Sequence, residues 1–326
     1  MKFSEAMKEL VCAGGVLAGL LCVWKAGDKV VAHALRLAHH YRVSTFFVGF
    51  VFLAIAANLP ELAVSIVAGL QGVGQLAAGD IVGACFTDVA LITGLTLVFA
   101  GSIAMTKQEA TGFLRLIGGS ALVMAIVFCI GKLTTHHGLV LIIVYAAFLV
   151  WAWRNRHEHT MLEVSHDDLD HAKPLPLRGL IAVWMKAGLA LALVLAGSGA
   201  AIHCGVTLAQ AYGMPLETVG ATIIALGTSL PEVSMGFHAY RRRQYTLALG
   251  PTIGTVFSQS TFILGILAVL SHAPIDLSAL QGAAAFMFIA FVVIAASILF
   301  DRIGRVTGMA LLGLFVMYML YHVAPF

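Results

Sequence analysis

The sequence predicts an all-α polytopic membrane protein with ten transmembrane helices arranged as two inverted five-helix repeats. The first observation behind this prediction is the composition. Of the 326 residues, 60% are hydrophobic and only 11% are charged, whereas about a quarter of the residues in a soluble domain are charged. Lipid cannot hydrogen-bond to the backbone, so the chain must cross the membrane as helices or as a closed barrel.

The second observation is the length of the apolar segments, which are about 20 residues long and do not alternate with polar residues, as helices require. We find ten of them, at about 8–25, 43–70, 76–100, 111–131, 138–154, 179–203, 215–240, 246–270, 278–299 and 303–322. The first and the fifth are short. The long polar stretch 155–178 contains two prolines near its end and is predicted to be a linker. Its histidines lie among acidic residues, which predicts a solvated loop, with metal or pH sensing as the alternative.

The third observation is an internal repeat without gaps at an offset of 171 residues. At this offset, "FVGFVFLAIAANLPELAVSIVAG" (47–69) falls on "TVGATIIALGTSLPEVSMGFHAY" (218–240). The Leu-Pro-Glu sequence of 59–61 coincides with that of 230–232. The predicted units are therefore a first repeat at 1–154 with its motif at 47–95, a linker at 155–178, and a second repeat at 179–326 with its motif at 218–266.

Because each repeat has an odd number of segments, the second repeat enters the membrane from the opposite face, as in many secondary transporters. With ten crossings, one face receives fourteen Lys and Arg residues and the other receives only Lys2, Lys8 and Lys132. Cytoplasmic loops carry the excess of positive charge. The sequence therefore predicts an integral protein of the plasma (inner) membrane, with both termini outside and the linker in the cytoplasm.

A disulfide or zinc framework, nucleic-acid binding and enzymatic activity find no support in the sequence. The five cysteines lie singly in apolar segments and form no CxxC pair, so neither a disulfide framework nor a zinc site is predicted. The net charge of +3 is small and dispersed, so nucleic acid is not an expected partner. An intramembrane enzyme would need a nucleophile–base pair or a metal-ligand cluster at depth, and the sequence offers neither. We predict no cofactor.

Three acidic residues lie deep in apolar segments: Glu61, Asp88 and Glu232. Asp80 is expected nearer the mouth of the third segment. An acidic side chain at a helix centre costs about 2.5–3.5 kcal/mol, so three cost about 10 kcal/mol. Protonation or a bound cation would offset this cost, and the two glutamates occupy equivalent positions of the repeat. These residues therefore predict a cation site.

A proline precedes each of the two glutamates. Proline lacks an N–H group and clashes with the carbonyl four residues earlier, so Pro60 frees the carbonyl of Ala56 and Pro231 frees that of Gly227. Broken helices with free carbonyls at the midplane are a recurrent ion site in transporters. A kink filled by a neighbouring hydroxyl is the alternative, but two such prolines, each beside a glutamate, favour the ion site.

The third and eighth segments supply further polar groups. Asp80, Ala84 and Asp88 share one helix face, and the repeat makes Asp88 equivalent to Gln259. We expect these segments to cross the breaks beside the prolines, so that Glu61, Glu232, Asp88 and Gln259 meet. The hydroxyl and amide groups of Asn58, Thr228, Ser229 and Thr255 complete a set of oxygen donors. Such a set suits Ca²⁺, which takes six to eight oxygens.

These residues resemble the cation/calcium exchanger superfamily, most closely its sodium/calcium exchanger branch. That family has two inverted α-repeats, each with a G-T-S-L-P-E-type motif followed by a G-N-x-x-G-S-N-x-x-N/D-type motif. The first motif is complete here at 227–232, and the second corresponds to "GDIVGACFTD" at 79–88 and "GPTIGTVFSQ" at 250–259. The resemblance covers nearly the whole chain.

The resemblance implies roles for individual residues. Glu61 and Glu232 would be the central calcium-binding carboxylates, and Asp88 and Gln259 the flanking ligands. Thr228, Ser229 and Thr255 would serve the exchanged monovalent ion. Further oxygens would come from Asn58 and from the carbonyls of Ala56 and Gly227.

This chain departs from the family pattern in both motifs. The first repeat reads "AANLPE", so Ala57 and Asn58 stand where the family has Thr and Ser. The carboxylate and the amide of the second motif have exchanged halves, in Asp88 and Gln259. Asp80 and Pro251 stand where the family has asparagine. The total charge is kept, which favours divalent binding, whereas the lost hydroxyls concern the sodium sites.

The sequence therefore predicts a secondary antiporter rather than an enzyme, exchanging a divalent cation, above all Ca²⁺, for Na⁺ or H⁺ by alternating access. The expected partners are inorganic cations and the lipid bilayer. Two alternatives stay open: a proton-coupled exchanger of another divalent cation such as Mn²⁺ or Mg²⁺, and a cation channel. Broken helices within an inverted repeat speak against the channel.

Overall fold

The structure, a computed structural model of the chain, describes residues 2–40, 58–101, 107–154, 177–230, 232, 252, 254–300 and 303–323. These parts of the chain are almost entirely helical. Two short strands, β1 (Lys132–Leu133) and β2 (Ile275–Asp276), pair in antiparallel fashion, with Lys132 opposite Asp276 and Leu133 opposite Ile275. The loops that contain them therefore lie on the same face of the molecule.

The described part of the first half contains six helices, because the third predicted segment is divided by a π-helical turn. The helices are α1 (Lys2–His40), α2 (Leu59–Gln71), α3 (Gly74–Thr87), α4 (Thr93–Ala100), α5 (Lys107–Ile130) and α6 (Thr135–Arg154), and the π-helical turn Asp88–Ile92 joins α3 to α4. Gly72 has a φ of 73° and ends α2. Only glycine adopts such a conformation at no steric cost, and it lets α3 begin only two residues later.

The second half repeats this pattern of long and interrupted helices. It contains α7 (Leu177–Tyr212), α8 (Leu216–Val219), α9 (Ala225–Thr228), α10 (Leu264–Leu270), α11 (Gln281–Leu299) and α12 (Arg305–Val323). The π-helical turn Gly220–Ile224 joins α8 to α9, and the π-helical turn Gln259–Ile263 precedes α10. A single 3₁₀ turn, Ser278–Leu280, leads into α11.

Within the described residues, six helical stretches are long and apolar enough to cross a membrane, and four shorter apolar helices accompany them. The shorter ones are Leu59–Gln71, Thr135–Trp151, Leu216–Thr228 and Gly254–Leu270. Each predicted apolar segment contains at least part of one of these helices. An integral membrane protein built mainly of helices is thus established, and the number of ten crossings stays a prediction.

The first and sixth segments form longer helices than the hydropathy pattern indicated. The sequence predicted segments at 8–25 and 179–203, but α1 has 39 residues and α7 has 36. The apolar pattern ends where charged residues such as Lys25 and Asp28 begin, whereas the backbone hydrogen bonds of a helix continue through such residues. Hydropathy therefore marks the part of a helix that lipid can surround rather than the whole helix.

Helices α1 and α7 pack side by side through small residues. A Cβ atom on Gly19 would lie 2.6 Å from the carbonyl oxygen of Gly197, and one on Gly197 would lie 2.8 Å from that of Gly19. The two backbones are therefore in contact, as small residues allow at helix interfaces in membranes. The α1–α7 pair borders the remaining helices along α2 and α9.

Helix α3 is the most enclosed helix of the structure. All its residues except Gln75 are buried, and it packs against α2, α8, α9, α11 and the π-helical turns that neighbour it. Asp80, the one acidic residue of α3, therefore faces protein on every side, and Asp88 follows directly after the helix.

Candidate functional site

The site of the first half begins at the start of α2. Pro60 lies in the first turn of the helix, where its missing N–H group costs no hydrogen bond. Leu62 donates its backbone N–H to the carbonyl oxygen of Asn58 at 2.9 Å. Glu61 follows the proline directly and is fully buried, with 0% exposure. Its position in the first turn puts it at the positive end of the helix dipole, which favours a carboxylate.

The corresponding part of the second half lies beyond α9. That helix ends at Thr228, and Ser229 leaves the helical conformation with φ −81° and ψ 5°. Glu232 follows and is only 3% exposed. Gly227 allows α1 to approach, because a Cβ atom at this position would clash with the side chain of Leu20. The break predicted from the "GTSLPE" motif therefore lies next to α1.

A second group of side chains joins the two halves around Asp88. Thr255 and Gln259 both donate hydrogen bonds to Oδ2 of Asp88, from Oγ1 at 3.2 Å and from Nε2 at 3.1 Å. Asp88 and Gln259 are the equivalent positions of the repeat, 171 residues apart. All three side chains are buried. Asp88 and Gln259 do meet, as the repeat predicted.

The two central glutamates differ from Asp88 in their hydrogen bonding. Neither carboxylate oxygen of Glu61 or Glu232 has a hydrogen-bond partner among the residues that the structure describes. The charge of Glu61 interacts with those of Glu232, Asp80 and Asp88, and the charge of Glu232 interacts with that of Asp88. The four acids therefore share one buried region of the protein.

These acids do not form a ready-made metal cluster. Over the described parts of the chain, no three Asp, Glu, His or Cys side chains converge closely enough to hold one ion together. A cation in this region would therefore take part of its coordination from hydroxyl, amide and carbonyl oxygens. That donor chemistry agrees with the oxygen set expected from the sequence and suits a hard cation.

Asp80 lies nearer the start of its helical stretch than Asp88, as the sequence predicts, and it is fully buried within the protein. Its Oδ1 accepts a hydrogen bond of 2.9 Å from Oγ1 of Thr228 on α9. Helix α8, the following π-helical turn and α9 cover this part of α3, and hydropathy along a single helix does not reveal such a cover.

The predicted site residues differ in their hydrogen bonding. Ser229, like Glu61 and Glu232, has a buried polar atom that finds no partner within the described chain, while Thr228, Thr255, Asp88 and Gln259 are joined by hydrogen bonds. Asn58 directly precedes α2, and Gly227 lies in the last turn of α9. Ala56 and Pro231 lie outside the described residues.

Sequence reasoning missed two features of this region. One is the pairing of Asp80 with Thr228. The available signal was that Asp80 stands where the family has asparagine. The other is a set of three π-helical turns within the described residues, which begin at Asp88, Gly220 and Gln259. Such turns occur frequently at functional sites, and no simple residue pattern predicts them.

The fold and the site together define a membrane-embedded cation exchanger. The family model described as sodium/calcium exchanger protein matches residues 11–154 and 183–324, so the chain belongs to this family. The members of the family are transporters and not enzymes. Membership also confirms the resemblance drawn from the duplicated Leu-Pro-Glu motif.

Individual relatives resemble the chain over almost its whole length. It is 29% identical over 320 residues to CaxA, a candidate antiporter of Alkalimonas amylolytica, covering 95% of this chain and 98% of the relative. It is 26% identical over 330 residues to the inner membrane protein YrbG of Escherichia coli, covering 97% and 98%.

A solved structure of the sodium-calcium exchanger NCX_Mj, soaked with Na⁺ and Sr²⁺, shares the fold. The TM-score is 0.59 with 23% identity, and the match covers 95% of this chain and 98% of NCX_Mj. At this identity the likeness concerns the fold alone.

Proposed function

We propose that this protein is a secondary antiporter that exchanges Ca²⁺ for Na⁺ or H⁺ by alternating access. The single observation that carries the proposal is the state of Glu61 and Glu232. Glu61 is buried in the first turn of α2 and Glu232 is buried just beyond the end of α9, and no donor within the described residues satisfies their oxygens. A buried carboxylate without a partner is costly, and a bound cation would remove that cost.

The donor set supports Ca²⁺ as the divalent ion. The side chains around the glutamates offer oxygen atoms from carboxylate, amide and hydroxyl groups. Among the cysteines that the structure describes, Cys85 is the one that is buried. In this proposal Glu61 and Glu232 bind the divalent ion directly. Asp88 and Gln259 flank it, and Asn58, Ser229, Thr255 and the carbonyls of Ala56 and Gly227 supply further oxygens.

Competition for the same carboxylates couples the two ion fluxes. Either one divalent ion or the monovalent ions that replace it neutralise the site, and only a neutralised site favours the change between the outward-open and inward-open forms. Helices α1 and α7 would move as a pair past the other helices. The direct backbone contact at Gly19 and Gly197 supports such a paired movement, because it holds the two helices together.

An inverted repeat would give the exchanger its two equivalent forms. Three hydrogen bonds join residues 171 positions apart: Cys22 to Leu193, Cys85 to Val256, and Gln259 to Asp88. Equivalent residues of two halves contact each other only near a common two-fold axis. The separate match of the family to residues 11–154 and 183–324 also supports two repeats. We place their boundaries at 1–154 and 179–326, with the linker between them.

A proton-coupled exchanger of Mn²⁺, Mg²⁺ or another divalent ion is the second candidate. It is favoured by the first motif, in which Ala57 and Asn58 replace the hydroxyl residues of the family. A monovalent ion that needs those hydroxyls would bind less well, whereas a proton needs only a carboxylate.

The experiment that tests the proposal is ⁴⁵Ca²⁺ flux into proteoliposomes under an imposed Na⁺ or pH gradient. We expect uptake driven by one of these gradients in the wild type, and a loss of at least about a hundredfold in the Glu232→Gln variant, because the loss of a central ligand costs about 3 kcal/mol or more. Glu217→Gln, which removes a half-buried carboxylate on α8, is the matched control.

Normal Ca²⁺ uptake by Glu232→Gln would contradict the assignment of the site. Flux that follows a pH gradient, ignores Na⁺ and prefers Mn²⁺ or Mg²⁺ would support the second candidate. Conduction without any counter-ion would identify a channel instead.

A further inference from the structure

Asp80 is a fourth buried carboxylate that the exchange scheme above leaves unused. It is fully buried on α3, and Thr228 hydrogen-bonds to its Oδ1 at 2.9 Å. Its other oxygen, Oδ2, has no hydrogen-bond partner in the part of the chain that the structure describes. A buried carboxylate oxygen without a donor is costly, and either protonation or a bound ligand offsets that cost.

Close helix packing determines where Asp80 lies. Gly79 and Gly83 stand on either side of it in the sequence, and Cβ atoms there would clash with the backbone carbonyl groups of Glu217 and Ala221. In return, a Cβ atom on Gly220 would clash with the backbone of α3 and come within 2.8 Å of the amide nitrogen of Asp80. Helix α3 therefore touches the backbone of the opposite half, and this contact brings Asp80 to Thr228.

The hydrogen bond also orients the hydroxyl group of Thr228. A hydroxyl group has one proton to donate and two lone pairs. When Asp80 accepts the proton, the lone pairs of Thr228 Oγ1 become available to a cation. Ala225 offers a competing carbonyl acceptor at 3.2 Å, which is longer than the 2.9 Å distance to Asp80. Asp80 thus supplies one oxygen of its own and turns a second oxygen toward the same region.

The pair belongs to one half of the protein only. The positions 171 residues away from Asp80 and Thr228 are Pro251 and Ala57, and neither has a polar side chain. The acid and the hydroxyl group are therefore both present in the pair 80 and 228, and both are missing from the equivalent pair 251 and 57. This asymmetry indicates a subsite that is added to the central site on one side, rather than a structural feature common to both halves.

We propose that Asp80 and Thr228 form a subsite for one monovalent alkali cation beside Glu61. This inference rests on the proposed function, because it gives a place to one of the monovalent ions that replace Ca²⁺. One carboxylate balances one positive charge, so a single alkali ion leaves the subsite neutral inside the membrane. A divalent ion would need more oxygens and more negative charge than one carboxylate and one hydroxyl group supply.

The test compares wild type, Asp80→Asn and Glu217→Gln in two measurements. In proteoliposomes, ⁴⁵Ca²⁺ self-exchange without alkali ions tests divalent transport alone. The dependence of ⁴⁵Ca²⁺ efflux on Na⁺, K⁺ or Li⁺ tests the subsite. We expect self-exchange to persist in all three proteins. In Asp80→Asn, the half-saturating alkali concentration should rise about tenfold or more, since losing a charged ligand costs at least about 1.4 kcal/mol, and the Hill coefficient should fall.

Thermal unfolding of the purified protein gives an independent readout of binding, because a ligand that binds the folded state raises the unfolding temperature. The preferred alkali ion should stabilise wild type and Glu217→Gln but not Asp80→Asn, whereas Ca²⁺ should stabilise all three. If Asp80→Asn does not fold, Thr228→Val provides the same test with the carboxylate in place, and Thr228→Ser should retain the wild-type response.

The possible failures can be told apart. A wild type without divalent flux would overturn the proposed function and this subsite together. Normal Ca²⁺ exchange with an unchanged alkali dependence in Asp80→Asn would overturn the subsite alone. Loss of Ca²⁺ self-exchange in a folded Asp80→Asn protein would assign Asp80 to the divalent site. A wild type that responds only to pH would also exclude an alkali subsite.

Discussion

The hydrogen bond from Gln259 to Asp88 connects two halves of the chain at equivalent positions. It joins Nε2 to Oδ2 at 3.1 Å, and Oε1 of Gln259 has no further partner among the described residues. The two side chains thus occupy neighbouring places near the centre of the site. A carboxylate on either residue would bring its negative charge to nearly the same region, which is a reason why the acid and the amide can exchange halves.

This contact predicts the outcome of a charge swap. Asp88→Asn alone should lower Ca²⁺ exchange by about tenfold or more, because the site loses a buried negative charge near the ion. The double variant Asp88→Asn, Gln259→Glu should recover a large part of the activity, measured as ⁴⁵Ca²⁺ flux in proteoliposomes. Gln259→Glu alone serves as the control for the added charge. A double variant as inactive as Asp88→Asn would show that the two positions are not interchangeable.

At the scale of the elements, the interrupted helices are supported by side chains from other helices. The hydroxyl group of Tyr318 on α12 donates a hydrogen bond of 2.8 Å to the carbonyl oxygen of Ala221 within a π-helical turn. The ring of Tyr318 packs against that of Phe86 on α3, with 4.4 Å between the ring centroids. A π-helical turn leaves backbone groups less regularly paired, and Tyr318 satisfies one of them in this turn.

The backbone contact between α3 and the Gly220–Ile224 turn predicts a large difference between glycine substitutions. Gly220→Ala should lower stability by about 1–3 kcal/mol, as overpacking does, because the new Cβ atom would clash with the carbonyl oxygen of Leu76. Gly313→Ala on α12 is the control, since nothing lies within 4 Å of the added atom. The thermal unfolding temperature of the purified variants is the measurement. Equal unfolding temperatures would contradict the close contact.

For the whole molecule, the proposed orientation follows from the charge difference between the two faces. Fourteen Lys and Arg residues are assigned to one face and three to the other. The pairing of Lys132 with Asp276 puts the loop after α5 and the loop after α10 on the same face. If that face is outside, the linker 155–178 lies in the cytoplasm and both termini lie outside.

This orientation predicts which positions react with a membrane-impermeant maleimide. In a background without the native cysteines, Lys132→Cys and Asp276→Cys should both be labelled from the outside of bacterial spheroplasts. His166→Cys in the linker should be labelled only after the membrane is permeabilised. Labelling is measured by the mass of the purified protein. Reaction of the linker in intact spheroplasts would reverse the proposed orientation.

The sequence by itself determined the membrane class, the apolar segments and the family. Composition and hydropathy indicate whether lipid or water surrounds each segment, and both depend on the residues of the segment alone. The duplicated Leu-Pro-Glu motif at 59–61 and 230–232 predicted two central carboxylates, and the structure places both of them in buried positions. The lengths of α1 and α7 were underestimated, because a helix continues through charged residues that hydropathy counts as an end.

Only the tertiary structure decided which side chains meet. The contact between Asp80 and Thr228 spans 148 residues, and the contact between Asp88 and Gln259 spans 171. Such contacts depend on how closely α3 crosses the opposite half and at what point along its length. The glycines at 79, 83 and 220 allow the two backbones to touch there. The sequence shows that these glycines are present, but the distance between two backbones results from the packing of all the surrounding helices together.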